Sequence, residues 1–182
     1  MIKKTITSAQ DIARAVKDPA RLAAVHASEM LDTAYEETFD ELTREAGRLL
    51  GTPVALLTLV DEYRDFVKSH VGLPEPYASA QEITDSPSFC QLTVAQTEPL
   101  AINDTRVVAM LRIFPSVQHM GVRAHLGVPL IVDGQAIGNC CVMDFRPRAW
   151  TKQDIATLTR LAQEATARIS KAKARPKPSP TN

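Results

Sequence analysis

Reactive and metal-binding side chains are scarce in this sequence. Three cysteines, four histidines and one tryptophan occur among 182 residues. The histidines share no spacing typical of metal ligands, such as H-x-x-x-H, so the sequence predicts no metal site. The cysteine count is odd, and Cys140 and Cys141 are neighbours that would point to opposite faces of a strand. This is poor disulfide geometry, and we expect reduced thiols in a cytoplasmic protein.

Long apolar runs and a charge excess are also missing. No segment approaches the ~20 consecutive apolar residues of a membrane span, and residues 1–7 have no apolar core that would mark a secretory signal. We therefore expect no membrane partner. Residues 171–182 hold four basic side chains and no acid, which leaves 17 basic against 21 acidic side chains, a net charge of −4, in residues 1–170. A mildly acidic body argues against a nucleic-acid partner.

What remains is the composition of an ordinary globular domain. Hydrophobic residues make up 45% of the chain and charged residues 23%. The sequence predicts three parts: a flexible N-terminal extension at 1–17 with a short helical turn around Ala9 to Val16, one domain at 18–170, and a disordered basic tail at 171–182. The tail, K-A-K-A-R-P-K-P-S-P-T-N, is rich in proline and too poor in apolar residues to fold.

The stretch 121–145 organises the rest of the chain. Asp133-Gly134 separates two β-rich runs and is a strong hairpin signal, because both residues tolerate positive φ. The predicted register pairs Val132 with Gln135, Leu130 with Ile137, Val128 with Asn139 and Leu126 with Cys141. Neither face of such a hairpin is polar enough to face solvent. We therefore expect it at the centre of a sheet covered on both sides.

The remaining elements predict an α+β fold with a central antiparallel sheet. Helices are expected behind Asp18-Pro19 as far as about Leu31, behind a capping box at Thr33 and Glu36 as far as Gly51, and from Asp85-Ser86-Pro87 onward. Strands are expected at 53–60, 64–71 and 98–102, and a loop at 72–84. The segment 103–120 shows no clean period and is expected to hold a short helix near Val107 to Arg112. A last helix carries an apolar stripe with near-heptad spacing, Ile155, Leu158, Ala162, Ala165 and Ile169, and is the predicted dimer helix.

These pieces, in this order, resemble the GAF domain, the small-molecule sensor module of signalling proteins. The resemblance covers about 20–168 and rests on V-A-L-L-T-L-V-D with R-D-F-V-K-S-H-V-G-L, on S-F-C, on P-L-A-I-N-D, and on G-V-P-L-I-V-D-G-Q-A-I-G-N-C-C-V-M-D before R-P-R-A-W-T-K-Q-D. It implies terminal helices on one face of the sheet and a ligand pocket under loops and helices on the other. It also implies a homodimer formed through the terminal helices.

The sequence departs from several relatives of this kind. Most continue from the last helix into an output domain, and we expect none here because only the short tail follows. The Cys-His pair that anchors pigment in bilin-binding relatives is missing, and so are the cyclic-nucleotide motifs of the phosphodiesterase members. The cofactor, if there is one, is therefore unknown.

Eight residues are candidates for ligand binding: Phe89, Cys90, Asn103, Asp104, Arg106, Arg112, Arg123 and His125. Cys90 begins a helix, whose positive end would lower the pKa of a thiol, so it is either a redox or catalytic thiol or a buried filler. His125 either contacts a ligand or lies in the core. The three arginines either clamp an anion through their forked donors or lie in solvated loops.

The leading expectation is a stand-alone GAF-type regulatory domain, not an enzyme. Ordering of 72–88 and 103–120 over a small ligand would shift the terminal helices and pass the signal to the dimer or to a signalling protein in trans. One alternative is a protein-interaction module whose cavity is filled by its own side chains. Another is a thiol-dependent reductase acting through Cys90, similar to free methionine-R-sulfoxide reductase.

Overall fold

The computed structural model describes residues 2 and 6–173. Within them the strands are β1 (Val54–Val60), β2 (Asp65–Val71), β3 (Glu82–Ile83), β4 (Leu100–Ile102), β5 (Ala124–Val132) and β6 (Gln135–Asp144). They form a six-stranded sheet in the order β3-β2-β1-β6-β5-β4, and every neighbouring pair is antiparallel. The α+β class and the central antiparallel sheet are confirmed.

The helices fall before, between and after these strands. They are α1 (Ala9–Val16), α2 (Pro19–Ala27), α3 (Glu37–Leu50), α4 (Tyr77–Ala80), α5 (Phe89–Gln96), α6 (Pro115–Gln118) and α7 (Lys152–Lys173), with 3₁₀ turns at Thr105–Val107 and Ala109–Ile113. Asp18 caps α2 and α3 ends at Gly51, as predicted. Helix α2 ends four residues before Leu31, and α5 begins behind Ser88 rather than at 85–87.

The hairpin at Asp133-Gly134 is confirmed, but its predicted register is wrong beyond the first pairs. Both turn residues have positive φ, 51° and 77°, which glycine adopts without strain. Ile131 pairs with Ala136 and Leu130 with Gly138, so Ile137 is an extra residue in β6. A bulge of this kind shifts every later partner by one position.

That bulge decides which face of the sheet each later residue of β6 occupies. Cys140 and Val142 lie in the apolar cluster that faces α3 and α7. Cys141 and Met143 lie in the cluster on the opposite face. The predicted pairing of Leu126 with Cys141, which would put both side chains on one face, is therefore wrong, because one inserted residue reverses the alternation of side chains.

The folded part of the chain begins earlier than position 18. Helix α1 lies within 1–17, and its Ile12 and Val16 are buried. Ser8 and Asp11 form a capping box at its start. Arg21, itself buried, donates through Nε to the carbonyl of Val16 at 2.8 Å and through Nη1 to the carbonyl of Val60 at 2.6 Å. This arginine ties α1 to the sheet, so residues 6–17 belong to the domain rather than to a flexible extension.

The predicted capping box before α3 does not form. Helix α3 begins at Glu37, and Glu36 makes no capping hydrogen bond. Instead, the buried ammonium of Lys68 donates to Glu36, to Thr33 Oγ1 at 2.6 Å and to the carbonyl of Ala34 at 2.8 Å. A charged donor from β2 outcompetes the local pattern, because a buried ammonium needs several acceptors.

The apolar stripe of α7 packs inside the domain. Leu158, Ala162, Ala165 and Ile169 are buried against the sheet and α3, and Ile155 is partly buried. These side chains are therefore not free to face a second copy. Helix α7 also runs to Lys173, so the predicted tail at 171–182 starts in helix, and 174–182 lie outside the described residues. Among the described helices, none is long and apolar enough to cross a membrane.

Candidate functional site

A small cavity lies on the sheet face opposite α3 and α7. Its floor includes Leu56 of β1 and Met143 of β6, and α5 forms one wall. The segments 72–88 and 103–120, predicted as roof loops, both line it, the first through Leu73 and the second through Met120. Its volume is about 30 Å³, close to the space that one water molecule occupies in the liquid. The roof therefore lies closed on the sheet.

Polar groups converge on this apolar space from three segments. They are Asp65 at the start of β2, Tyr77 and Asp85 in the first roof segment, Ser88 before α5, and Ser116 in α6. The hydroxyl of Tyr77 donates to Asp85 at 2.6 Å. Within the described residues, Ser116 Oγ and Asp65 Oδ1 have no hydrogen-bond partner. Buried polar atoms without partners are rare, so both mark positions where a bound group would be stabilised.

Asp65 is a fully buried carboxyl. Ser88 Oγ donates to its Oδ2 at 2.5 Å, and the same Ser88 oxygen caps α5 by accepting from the N–H of Gln91. Burial raises the pKa of Asp65 well above its ordinary value, and the adjacent Cys90 adds to the rise, while the Ser88 hydrogen bond opposes it. Burial therefore disfavours the charged carboxylate at this position.

Cys90 is the second residue of α5 and lines the same cavity. The pKa of its thiol is lowered to about 7, chiefly by the contact with Cys141, while burial opposes the change and Thr58 and Asn139 contribute less. In the described part of the chain, Thr58 Oγ1 and both amide atoms of Asn139 form no conventional hydrogen bond. These polar groups face the thiol of Cys90. Sulfur is only a weak hydrogen-bonding partner.

His125 lies behind Phe89 rather than in the cavity. The two rings stack with centroids 4.6 Å apart and planes at 13°, and Phe114 packs on Phe89 at 5.2 Å. Neither imidazole nitrogen has a hydrogen-bond partner among the described residues. Complete burial lowers the pKa of His125 to about 3, so the ring is neutral.

The predicted arginine clamp is not assembled around the cavity. Arg123 forms a forked ion pair with Asp104, with Nη2 at 2.7 Å from Oδ2 and Nε at 3.0 Å from Oδ1. Asn103 accepts a hydrogen bond from the backbone of Trp150, and Arg106 and Arg112 are exposed. Of the eight predicted residues, the structure brings Phe89 and Cys90 to the cavity and places His125 directly behind them.

Sequence reasoning missed most of the polar lining. Asp65 lies in the predicted strand 64–71, and Asp85 and Ser88 lie in the predicted helix that begins at Asp85. Tyr77 and Ser116 lie in 72–84 and 103–120, which show no clean periodicity. The available signal was the acid itself, at the start of a strand whose next residues, Phe66 and Val67, are apolar. An acid buried with such neighbours is a candidate for a perturbed pKa.

The chain matches the family model of the GAF domain over residues 34–169. The chain therefore belongs to the GAF domain family, whose members are sensor and regulatory modules. The match begins 14 residues later than the predicted extent of 20–168, and both the match and the predicted extent end within α7.

Three known proteins illustrate the relationship. The chain is 28% identical over 156 residues to the cyclic di-GMP phosphodiesterase PA2567 of Pseudomonas aeruginosa, an alignment that covers 82% of the chain but only 25% of that protein. It superposes with a TM-score of 0.63 and 16% identity on the GAF domain of an Acinetobacter phosphoenolpyruvate-protein phosphotransferase, covering 88% of this chain and 98% of the other. It superposes on the type II free methionine-R-sulfoxide reductase of Thermoplasma acidophilum with a TM-score of 0.58 and 15% identity, covering 74% of this chain and 93% of the other. At these identities the two structures show the fold alone.

Proposed function

We propose that this domain is a regulatory module that binds a small molecule in the cavity under 72–88 and 103–120. The observation that supports this most directly is the pair of unpartnered polar atoms, Asp65 Oδ1 and Ser116 Oγ, at an otherwise apolar cavity. A ligand with a hydrogen-bonding group and an apolar body matches both features. Because burial disfavours the charged form of the Asp65 carboxyl, we propose that the ligand group beside it is polar and uncharged.

Binding requires the roof to move. The present volume of about 30 Å³ admits one water-sized group. A larger molecule would bind a conformation in which the roof segments have separated from the sheet, and would shift the population toward it. The conformation described here is then the closed one.

A route for the signal follows from the packing. Helix α5 lies on β5 and β6 from the cavity side, and α7 lies on the same two strands from the other side. A displacement of α5 would therefore reach α7 through two strands. We propose that the exposed face of α7 carries this change to a second copy or to a signalling protein in the cytoplasm. We propose regulation rather than phosphodiesterase activity, because the match covers only a quarter of the Pseudomonas relative.

A thermal-shift screen of small metabolites tests the proposal, with native mass spectrometry to detect a retained ligand and light scattering to follow oligomeric state. The variant Tyr77→Phe removes a hydroxyl at the cavity, and the matched control Tyr63→Phe alters a tyrosine that is 73% exposed. We expect a stabilising compound whose shift is reduced in Tyr77→Phe and unchanged in Tyr63→Phe. Absence of any stabilising compound, together with a monomer under all conditions, would contradict the proposal.

A protein-interaction module is the second candidate, and the small cavity volume favours it. In that case the side chains of 72–88 and 103–120 fill the cavity at all times and no ligand enters it. Amide hydrogen exchange separates the two: exchange of 72–88 slower by orders of magnitude than that of exposed loops indicates a permanent roof, whereas exchange on the timescale of loops indicates an opening roof.

A further inference from the structure

Two thiols from distant parts of the chain meet beneath α5. Cys90 lies in the first turn of that helix, and Cys141 lies in β6, opposite the cavity residue Leu56 of β1. Both side chains are buried in the same cluster, at the place where α5 packs on β6, and each thiol alters the ionisation of the other. Cys140, one residue away, points into the opposite cluster against α3 and α7. The β6 bulge is the reason that Cys141, and not Cys140, reaches Cys90.

The surroundings of Cys90 favour its thiolate. Thr58 and Asn139, which pair with each other across β1 and β6, present polar atoms to it that have no conventional partner among the described residues. The thiol also lies at the N-terminal end of an eight-residue helix, where backbone N–H groups stabilise negative charge. Since Cys90 lines the cavity, a molecule the size of water or peroxide fits beside it.

We propose that Cys90 is a peroxide-reactive thiol that forms an intramolecular disulfide with Cys141. In the first step the Cys90 sulfur attacks one oxygen of hydrogen peroxide, and the O–O bond breaks. The sulfur becomes a sulfenic acid, and the departing hydroxide takes up the proton that the thiol lost, giving water. In the second step the Cys141 sulfur attacks the Cys90 sulfur, the S–O bond breaks, and the oxygen leaves as water with the Cys141 proton. Two thiols lose two electrons in all, and one peroxide becomes two waters.

The cross-link would join α5 to the centre of the sheet. The same helix forms a wall of the cavity, so oxidation would hold that wall against β6. This inference does not depend on the proposed ligand, because disulfide formation is measured without one.

The test treats the full chain with hydrogen peroxide, blocks free thiols with N-ethylmaleimide, and maps the products by proteolysis and tandem mass spectrometry. We expect a Cys90–Cys141 disulfide in the wild type and in Cys140→Ser. In Cys141→Ala we expect a sulfenic acid at Cys90, trapped by dimedone. Oxidation of Cys90 should be about tenfold or more faster than oxidation of Cys140, because burial raises the pKa of Cys140 to about 12.

The matched pair Cys140→Ser and Cys141→Ala is decisive because the two positions are adjacent and no protease cut separates them. A disulfide that survives in Cys141→Ala would assign the bond to Cys140 and overturn the proposal. Three thiols that stay reduced while the half-buried Met110 becomes oxidised would overturn it as well. If Cys141→Ala fails to fold by circular dichroism, the product map of Cys140→Ser still decides, since only Cys90 and Cys141 remain in it.

Discussion

His125 and Phe89 form a stacked pair that joins β5 to α5, with ring centroids 4.6 Å apart. Both residues were candidates for ligand binding, with a place in the core as the alternative for His125, and the structure gives the histidine this packing role. An aromatic pair of this kind adds about 0.5–1.5 kcal/mol beyond the area it buries. Because the imidazole has no polar partner within the described residues, its protonation would place an unpaired charge in the core.

This pair predicts a pH dependence of folding. The pKa of His125 is lowered to about 3, whereas an unfolded histidine titrates near its ordinary value of 6.5. Between these values only the unfolded chain takes up the proton, so the stability is fully present above pH 6.5 and is lost as pH falls. At pH 5 the loss is about 2 kcal/mol relative to pH 7.5. The free energy of unfolding is measured by urea titration at several pH values for the wild type, for His125→Phe and for the exposed control His119→Gln. If the free energy of His125→Phe falls with pH as steeply as that of the wild type, the prediction is wrong.

Asp65 predicts a dependence of the opposite sign. Its pKa is raised in the folded state, so the folded chain holds a proton that the unfolded chain releases above its ordinary pKa. This contribution is fully present at low pH and is lost as pH rises toward the folded value, by up to about 1.4 kcal/mol per pH unit. We expect Asp65→Asn to be more stable than the wild type at pH 8 and to lose that advantage near pH 4. Glu41→Gln on the exposed side of α3 is the control and should show no such crossing.

Gly138 allows β6 to lie against β1. A Cβ at this position would lie 2.0 Å from the carbonyl oxygen of Thr58 and 2.9 Å from Cα of Leu59. Because both contacts are backbone atoms of a central strand, we expect Gly138→Ala to cost about 3 kcal/mol in urea unfolding. Gly47→Ala is the matched control. A Cβ on this residue of α3 would make ordinary contacts, 3.6 Å from the carbonyl oxygen of Thr52 and 3.7 Å from Cβ of Ala55, so the variant should be neutral or stabilising by up to about 1 kcal/mol. Equal stability of the two variants would disprove the close approach.

The buried ammonium of Lys68 holds the segment before α3. It donates to Glu36, to Thr33 and to the Ala34 carbonyl. We expect Lys68→Met to lower the free energy of unfolding by about 2 kcal/mol, the scale of hydrogen bonds to a charged group. Lys17→Met, at a half-exposed lysine paired with Glu62, should change stability by less than about 1 kcal/mol. Proteolysis within 33–36 should also become faster in Lys68→Met alone.

Local chemistry determined a large part of this protein from the sequence. Asp18 caps a helix and Asp133-Gly134 closes a hairpin because each depends on residues within a few positions of one another. The apolar faces of β5 and β6 indicated an interior position in the sheet, and the hairpin does lie inside it. The central pair is β1 with β6, however, and β5 lies beside the edge strand β4, because burial alone does not determine which strands are neighbours. The order of the elements was then sufficient to indicate the GAF family.

The tertiary structure alone decided which side chains meet. One bulged residue in β6 moved Cys141 to the cavity face, and no local pattern records such an insertion. Glu36 accepts a hydrogen bond from Lys68, which is 32 positions away, instead of capping α3. The sequence does not show that this lysine is buried beside Glu36. The apolar stripe of α7 packs on β5. A heptad pattern in the sequence does not show whether such a stripe packs on a second chain or on the sheet of its own chain. Each outcome depends on the free energy of burying a group against a segment that is remote in the sequence. Such contacts form only in the folded chain, so local sequence patterns do not reveal them.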